Sequence, residues 1–486
     1  MKVAYVYPWD VAGDPSAPER IAALGVDAAA LAVSYHSTRA ATPYHPGHRV
    51  LDVPHPALYL PVRPSAWGRL VPAAPTWTPA DAYLTARDAL KAAGLQVHAW
   101  TVLTHNSHLG RLHPDLVTRN AFGDPYPYAL CPAHDDVLDY CDRLVREILA
   151  VAEPDGLILE ACGPMGFGHQ SVHEKTAGAD WTAADADLLS LCFCAACAPR
   201  HPSSLRPLIR RHLTPRPPLP NPPTSITHEN PTPGTPEHTA RGGPPPTRPS
   251  DMPAEEPPSP LTNEARAART PPPPGPNTST NEPPTPPRTQ VQATPVPPPQ
   301  PGTPNTSTDE PLTPPRNQVR ATPVPPPQPG TPYASIEEAL GPLADEVRAV
   351  RVSLSAGLRR RLITTIREIA PNIPITLHVT PDPWATGAFA ALPEGEPGAD
   401  VLVGNCWGDP ETDAARLSRL ADLCHPGQRV GAYVLALPPR PADATVLAHH
   451  LSTYAKAGAT DFHLYHAGLA GPTHLTALAK ALNTLH

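Results

Sequence analysis

An eight-stranded parallel (β/α)8 barrel, a TIM barrel interrupted once by a long insert, is the fold this sequence predicts. Three observations carry it. Eight short β-branched or alternating segments recur along the chain, and amphipathic helical segments separate most of them. In addition, 43 of the 75 prolines lie between residues 201 and 335. Strands alternating with helices imply parallel pairing through crossover helices, and eight strands is the number that closes such a barrel.

The strand candidates are 3–7, 27–35, 96–104, 156–161, 373–380, 400–406, 429–435 and 461–465. Between them, apolar residues recur at helical spacing over 82–93, 136–151, 412–423 and 442–457. Gly94 and Gly458 stand where a helix C-terminus favours a residue of positive φ. Residues 201–335 are too poor in apolar side chains to offset their ordering entropy, so they are expected to be disordered. Helical stretches flank them, 183–192 before and 336–369 after. The division is therefore a first half-barrel over 1–200, an insert over 201–335 between strands four and five, and a second half over 336–486. Two half-domains on a tether are the less favoured arrangement, because each would have to bury a four-stranded sheet alone.

Inside the insert, Pro276-Asn277-Thr278-Ser279-Thr280-Asn281-Glu282 recurs as Pro304-Asn305-Thr306-Ser307-Thr308-Asp309-Glu310, a period of 28. Neither copy has the apolar face of a solenoid repeat, so a duplicated polyproline-II linker is expected. The triplets Pro297-Pro298-Pro299 and Pro325-Pro326-Pro327 could dock a proline-recognition module.

Composition excludes several function classes. The 37 Lys+Arg are scattered and outnumbered by 45 Asp+Glu, for a net charge of −8, which argues against nucleic acid as a partner. No run of eighteen apolar residues suits a membrane span. The N-terminus enters a strand without a secretory h-region, so a cytoplasmic location with reduced cysteines is expected. Neither a Gly-x-Ser-x-Gly, a P-loop nor a Gly-x-Gly-x-x-Gly motif follows a strand, so acyl, NTP and dinucleotide chemistry lack support.

Chemistry in this fold sits at the C-terminal strand ends, and these are loaded. They carry Trp9 and Asp10, His36, Trp100 with His105 and Asn106, Glu160, His378 with Asp382, Asn405 with Trp407 and Asp409, and Tyr465. Strand seven is bland. Aromatic faces stack on sugars, polar groups bond hydroxyls, and two carboxylates flanking a bond are the minimum for glycoside hydrolysis. Glu160, emerging from the buried run Asp155-Gly156-Leu157-Ile158-Leu159, is the first candidate acid. Asp409 and Asp382 are candidates for the second. His169-x-x-x-His173-Glu174 reads as a lid after strand four, with His173 able to reach a substrate and Glu174 a third-choice acid.

The segment from His105 to Cys197 resembles the uncharacterised glycoside-hydrolase-like (β/α)8 proteins related to the α-amylase and α-galactosidase superfamily. Carrying residues are Asn120-Ala121-Phe122-Gly123-Asp124, Leu130-Cys131-Pro132-Ala133, the helix through Tyr140, Asp155 to Glu160, and Leu191-Cys192-Phe193-Cys194-Ala195-Ala196-Cys197. The resemblance implies that the strand-four acid is the nucleophile and that a later strand, in some relatives the sixth, supplies the acid/base, matching Asp409. The chain departs from these relatives in carrying Glu where they mostly carry Asp. It also lacks the strand-four Asn-Glu and strand-seven Glu of the cellulase and β-galactosidase clan.

Cys192-x-Cys194-x-x-Cys197 could ligate a structural zinc, with Cys162, Cys131 or His201 as a fourth ligand. No cofactor is required for the main reading, which is a barrel that hydrolyses or binds a small glycoside or oligosaccharide. Two others stand beside it: a metal-dependent barrel hydrolase or isomerase, needing three converging His/Asp/Glu ligands, and a non-catalytic scaffold whose insert recruits partners.

Overall fold

The computed structural model describes residues 1–168, 176, 179, 181–214 and 333–485. Eight parallel strands close on themselves: β1 (Lys2–Val6), β2 (Ala28–Tyr35), β3 (Gln96–Val102), β4 (Gly156–Glu160), β5 (Ile375–Thr380), β6 (Val401–Cys406), β7 (Arg429–Leu435) and β8 (Ala459–Tyr465). Each pairs with its neighbours in sequence order, and β8 returns to β1 with Leu464 opposite Ala4. All eight expected strands are present. The chain leaves β4 at Glu160 and re-enters as the adjacent β5, with Leu377 opposite Leu159. The long segment between them is thus one crossover of a single barrel, not a tether between two halves.

Outside the strands run α1 (Ala17–Ala22), α2 (Ala82–Ala92), α3 (Asp135–Glu147), α4 (Ala344–Ile369), α5 (Pro410–Asp422), α6 (Ala444–Lys456) and α7 (Pro472–Leu482). Gly94 (φ +85°) and Gly458 (φ +102°) turn the chain out of α2 and α6 in the left-handed region. The β5–β6 connection departs from the repeating unit. It has no helix, and instead Ala390–Ala391 pair in parallel with the end of β5. Every residue of β2 is buried, as expected of a strand covered on both faces, and its four alanines let neighbouring layers approach closely. Asp142 of α3 ties the two sides of the crossover together, accepting hydrogen bonds from Thr365 of α4 and from Arg146.

The boundary assigned to the Pro-rich insert moves. Leu205–Leu213 form a helix whose Leu205 and Ile209 join Ile336 and Leu340 in a satellite core. Residues 201–214 and 333–335 therefore belong to the folded unit, because these few apolar positions find partners across the gap. The 28-residue repeat and its Pro triplets lie outside the described residues. Among the described residues no helix is long and apolar enough to cross a membrane.

Candidate active site at the barrel mouth

The pleat sends alternate residues of each strand into the barrel. Tyr5 and Tyr7 of the first strand run, Trp100 of β3, Glu160 of β4, His378 of β5, Tyr433 of β7 and His463 and Tyr465 of β8 consequently meet inside. Tyr5 touches the rings of Trp100, Tyr433, His378 and His463 at centroid distances of 4.9, 4.9, 5.9 and 5.8 Å. Above this layer opens a cavity of about 600 Å³, lined among others by His36, Trp100, Glu160, Asn405, Trp407 and Tyr465.

Glu160 ends β4 at the floor of this cavity, only 6% exposed. The next residue, Ala161, adopts φ +54°, uncommon for a side-chain-bearing residue, and turns the chain sharply at the rim. Its N–H donates to Ala388 O at 2.8 Å and its carbonyl accepts from the Thr104 hydroxyl at 2.8 Å, so both sides of the turn are held.

Glu160 Oε2 accepts from the Trp100 indole N–H at 2.7 Å and lies 3.2 Å from His378 Nδ1, a contact too oblique for a hydrogen bond. Both contacts fall on Oε2, which leaves Oε1 to the cavity. Burial pushes this carboxyl up, but the adjacent His378 imidazole and the Trp100 N–H together outweigh burial and hold it below the usual range. Glu160 is therefore ionised at neutral pH. Beneath it, His378 Nε2 hydrogen-bonds Tyr5 Oη at 2.8 Å, and Tyr5 Oη meets His463 Nδ1 at 3.0 Å. Burial, then the Glu160 charge, raises the Tyr5 phenol far above its ordinary range, and burial lowers the His463 imidazole. The chain Glu160–His378–Tyr5–His463 thus sets one negative charge on a line of buried polar rings.

The walls are aromatic. Trp407, 40% exposed, stacks on Tyr433 at 5.5 Å and 16° and leans on Tyr465 at 4.9 Å. His36 stacks on Tyr35 at 4.1 Å, and burial lowers its imidazole pKa. Asn405 Oδ1 has no hydrogen-bond partner among the described residues, although its residue lines the cavity. Arg416 reaches the same wall, with its guanidinium donating to Asn405 O at 2.6 Å and Asp413 Oδ1 at 2.7 Å.

Other sequence candidates lie elsewhere. Asp409 is exposed and caps α5, its Oδ2 accepting from Thr412 N and Oγ1, each at 3.0 Å. Asp382 is exposed and closes a turn by accepting from Trp384 N at 2.9 Å. Neither lines the cavity. Among the described residues, Glu160 is the one carboxylate that does. Trp9 is not a wall residue: it is buried in a one-turn helix, stacked on Tyr7 at 4.5 Å. Asn106 caps the helix Ser107–Leu112 through Leu109 N. His105 sits behind His36, ring centroids 4.3 Å apart. Asp10 is buried, with Oδ2 taking Tyr7 N at 2.8 Å. His173 and Glu174 lie outside the described residues.

Tyr5, Tyr433, His463 and Phe389 were not singled out by the sequence reading. Phe389 stacks on His378 at 4.8 Å and 2°. Alternation alone would have flagged Tyr5 and His463, since Tyr5-x-Tyr7 and His463-x-Tyr465 place polar aromatics on one face of an otherwise apolar strand, whereas Tyr433 stands alone between Gly431 and Leu435. Phe389 lies in the helix-free connection and left no periodic signal.

Away from the mouth, Cys192, Cys194 and Cys197 converge with Cys131, their sulfurs all within 4.8 Å of one another. Of the three candidates for a fourth member, Cys131 joins them. Cys162 belongs to the main core and His201 packs its ring near Phe193. Among the described residues this is the one group of three or more candidate metal ligands, and the mouth holds no such group.

No family model matches the chain, and no curated protein matches it in sequence. Solved structures similar to the chain include two that align over nearly all of it. The alpha-L-fucosidase isoenzyme 2 from Paenibacillus thiaminolyticus aligns with a TM-score of 0.45 at 10% identity, over 99% of this chain and 49% of its own. The glycoside hydrolase domain of PgaB (BpsB) from Bordetella bronchiseptica aligns with a TM-score of 0.46 at 12% identity, over 98% of this chain and 97% of its own. This chain spans about half the length of the fucosidase chain.

Proposed function

We propose that the barrel mouth binds a carbohydrate and that Glu160 acts on it as an ionised group, nucleophile or electrostatic stabiliser, in glycosyl-bond hydrolysis. The observation that carries this reading is one buried carboxylate, kept charged by His378 and Trp100, at the floor of a cavity walled by Trp407, Tyr433 and Tyr465. Aromatic faces suit the apolar faces of a sugar ring. The Asn405 and Thr380 side chains at the lining supply polar groups for hydroxyls. A positive charge developing at an anomeric carbon would be stabilised by Glu160, whose own burial limits the screening of its charge. A carboxyl held below its usual range is a poor proton donor at neutral pH, so the general-acid role is not assigned to it.

One observation favours a second reading, binding without hydrolysis: Glu160 has no second carboxylate beside it among the described cavity-lining residues. A single set of measurements separates the two. Intrinsic Trp fluorescence is titrated with a panel of mono- and oligosaccharides, and release of aryl-glycoside leaving groups is followed for wild type and Glu160→Gln. Hydrolysis abolished by the substitution supports the enzyme. Saturable binding without turnover supports the binding barrel. Neither binding nor turnover across the panel overturns both.

A further inference from the structure

We propose that Cys131, Cys192, Cys194 and Cys197 hold one structural zinc ion that locks the two excursions following β3 and β4 to each other. The claim does not depend on what the barrel mouth binds. A regular tetrahedron with metal–sulfur bonds of ~2.3 Å has sulfur–sulfur edges of about 3.8 Å. Cys131 Sγ stands 3.5, 3.7 and 3.8 Å from Cys197, Cys194 and Cys192. Three of the six edges thus match that tetrahedron, and the remaining sulfur pairs also lie within 4.8 Å of one another. Two disulfides would instead pair the sulfurs two by two at ~2.05 Å, and all four cysteines are free.

The donor set points to the metal. Four thiolates in tetrahedral array suit zinc or iron and are unsuited to magnesium or calcium. Four protein ligands leave no open position, which is the pattern of a structural and not a catalytic ion. Four thiolates around a divalent ion carry a net charge of −2. The buried Arg351 guanidinium, which donates to Ser190 O and Trp384 O, acts on Cys192 and Cys197 with opposite charge.

The ligands come from two segments far apart in sequence. Cys131 follows the strand Pro125–Leu130 of the β3 excursion, and the other three follow the short helix Ala183–Leu189 of the β4 excursion. Between the ligands and the mouth runs a short series of contacts. Tyr126 Oη donates to Leu189 O at 2.9 Å, and Ser190 Oγ, two residues before Cys192, accepts from Phe167 N at 2.9 Å. Tyr128 Oη donates to Gly166 O at 3.0 Å, and Gly168 lines the cavity. Zinc at the cysteines therefore positions one edge of the mouth.

The test uses the full chain expressed with zinc and purified without chelator. Elemental analysis is expected to give one zinc per chain. A mercurial titrated against the native protein should release it in step with modification of four thiols, as reported by a metallochromic dye. Chelation should lower the thermal midpoint, and zinc alone should restore it. Cys194→Ser is expected to retain at most about one tenth of the wild-type zinc, whereas Cys424→Ser, outside the cluster, retains all of it. Should Cys194→Ser fail to fold, the wild-type measurements decide by themselves. Folded wild-type protein free of zinc after dialysis against zinc buffer, iron in place of zinc, a Cys131 disulfide found by mass spectrometry, or undiminished zinc in a folded Cys194→Ser each overturns the proposal.

Discussion

The Trp100 indole N–H donates to Glu160 Oε2 at 2.7 Å, and this bond joins β3 to β4 at the floor of the mouth. Trp100 is itself fully buried, so the donor cannot swing away, and the carboxylate is held with Oε1 toward the cavity. Glu160→Gln keeps the shape and an acceptor for the indole while removing the charge. It is expected to leave the thermal midpoint within a few degrees of wild type and to lower turnover of an aryl-glycoside by at least ~10²-fold. Parallel melting and initial-rate measurements check both halves.

A carboxyl whose folded pKa lies below its usual value stays ionised from about pH 5 upward. Saccharide affinity that depends on the Glu160 charge is therefore expected to be flat between pH 5 and 8 and to fall only in acid. Calorimetric titration at several pH values reads this directly. A midpoint near pH 6 to 7 would contradict the environment described for Glu160.

Asp10 behaves in the opposite sense. Burial dominates and raises its pKa to about 7, against the lowering by Tyr7 N–H and Arg20. Between the unfolded value near 4 and the folded value near 7, the native state holds a proton that the unfolded state has lost. Stability from this group is thus full below about pH 4 and declines as pH rises through 7. Asp10→Asn should flatten that decline and be more stable than wild type at pH 8 by about 1–3 kcal/mol. Urea melts at pH 5 and pH 8 provide the comparison.

Gly468 makes room for the same side chain. A Cβ at this position would lie 1.8 Å from Asp10 Oδ2. Because Tyr7 N anchors that oxygen, the carboxylate cannot withdraw cheaply. Gly468→Ala is expected to cost about 2–3 kcal/mol. The cost should shrink in an Asp10→Ala background, and a double-mutant cycle measures the coupling.

Trp407 differs from the other rings in being substantially exposed while stacked on Tyr433. Trp407→Ala should change stability by no more than about 1 kcal/mol. If the ring is a sugar platform, saccharide affinity should fall ~10-fold, about 1.4 kcal/mol. Unaltered affinity in a protein that binds saccharide would remove Trp407 from the site.

Much of this architecture was legible in residue order. The short β-branched and alternating runs located all eight strands within two residues at every end, because strands buried on both faces are mostly apolar. The same runs put Glu160 at a strand end and hence at the mouth, and Cys192-x-Cys194-x-x-Cys197 announced a cluster. Asp409 carried a legible warning as well. Asp-Pro-Glu-Thr is a helix-start pattern, and its carboxylate is taken up by Thr412.

Other features existed only once the barrel had closed. Tyr5, His378 and His463 lie in β1, β5 and β8, and nothing local says that three such residues share one level. That level is set by the stagger of pairing around the whole barrel. Whether Trp9 faces a cavity or the core was decided by a one-turn helix folding its ring onto Tyr7. Likewise, Cys131 was one of three equal candidates until the β3 and β4 excursions came together. Sequence determines which face of an element a side chain occupies, because pleat and helical pitch are local. Which faces meet depends on long-range closure, and that closure selected Glu160 from among the rim acids.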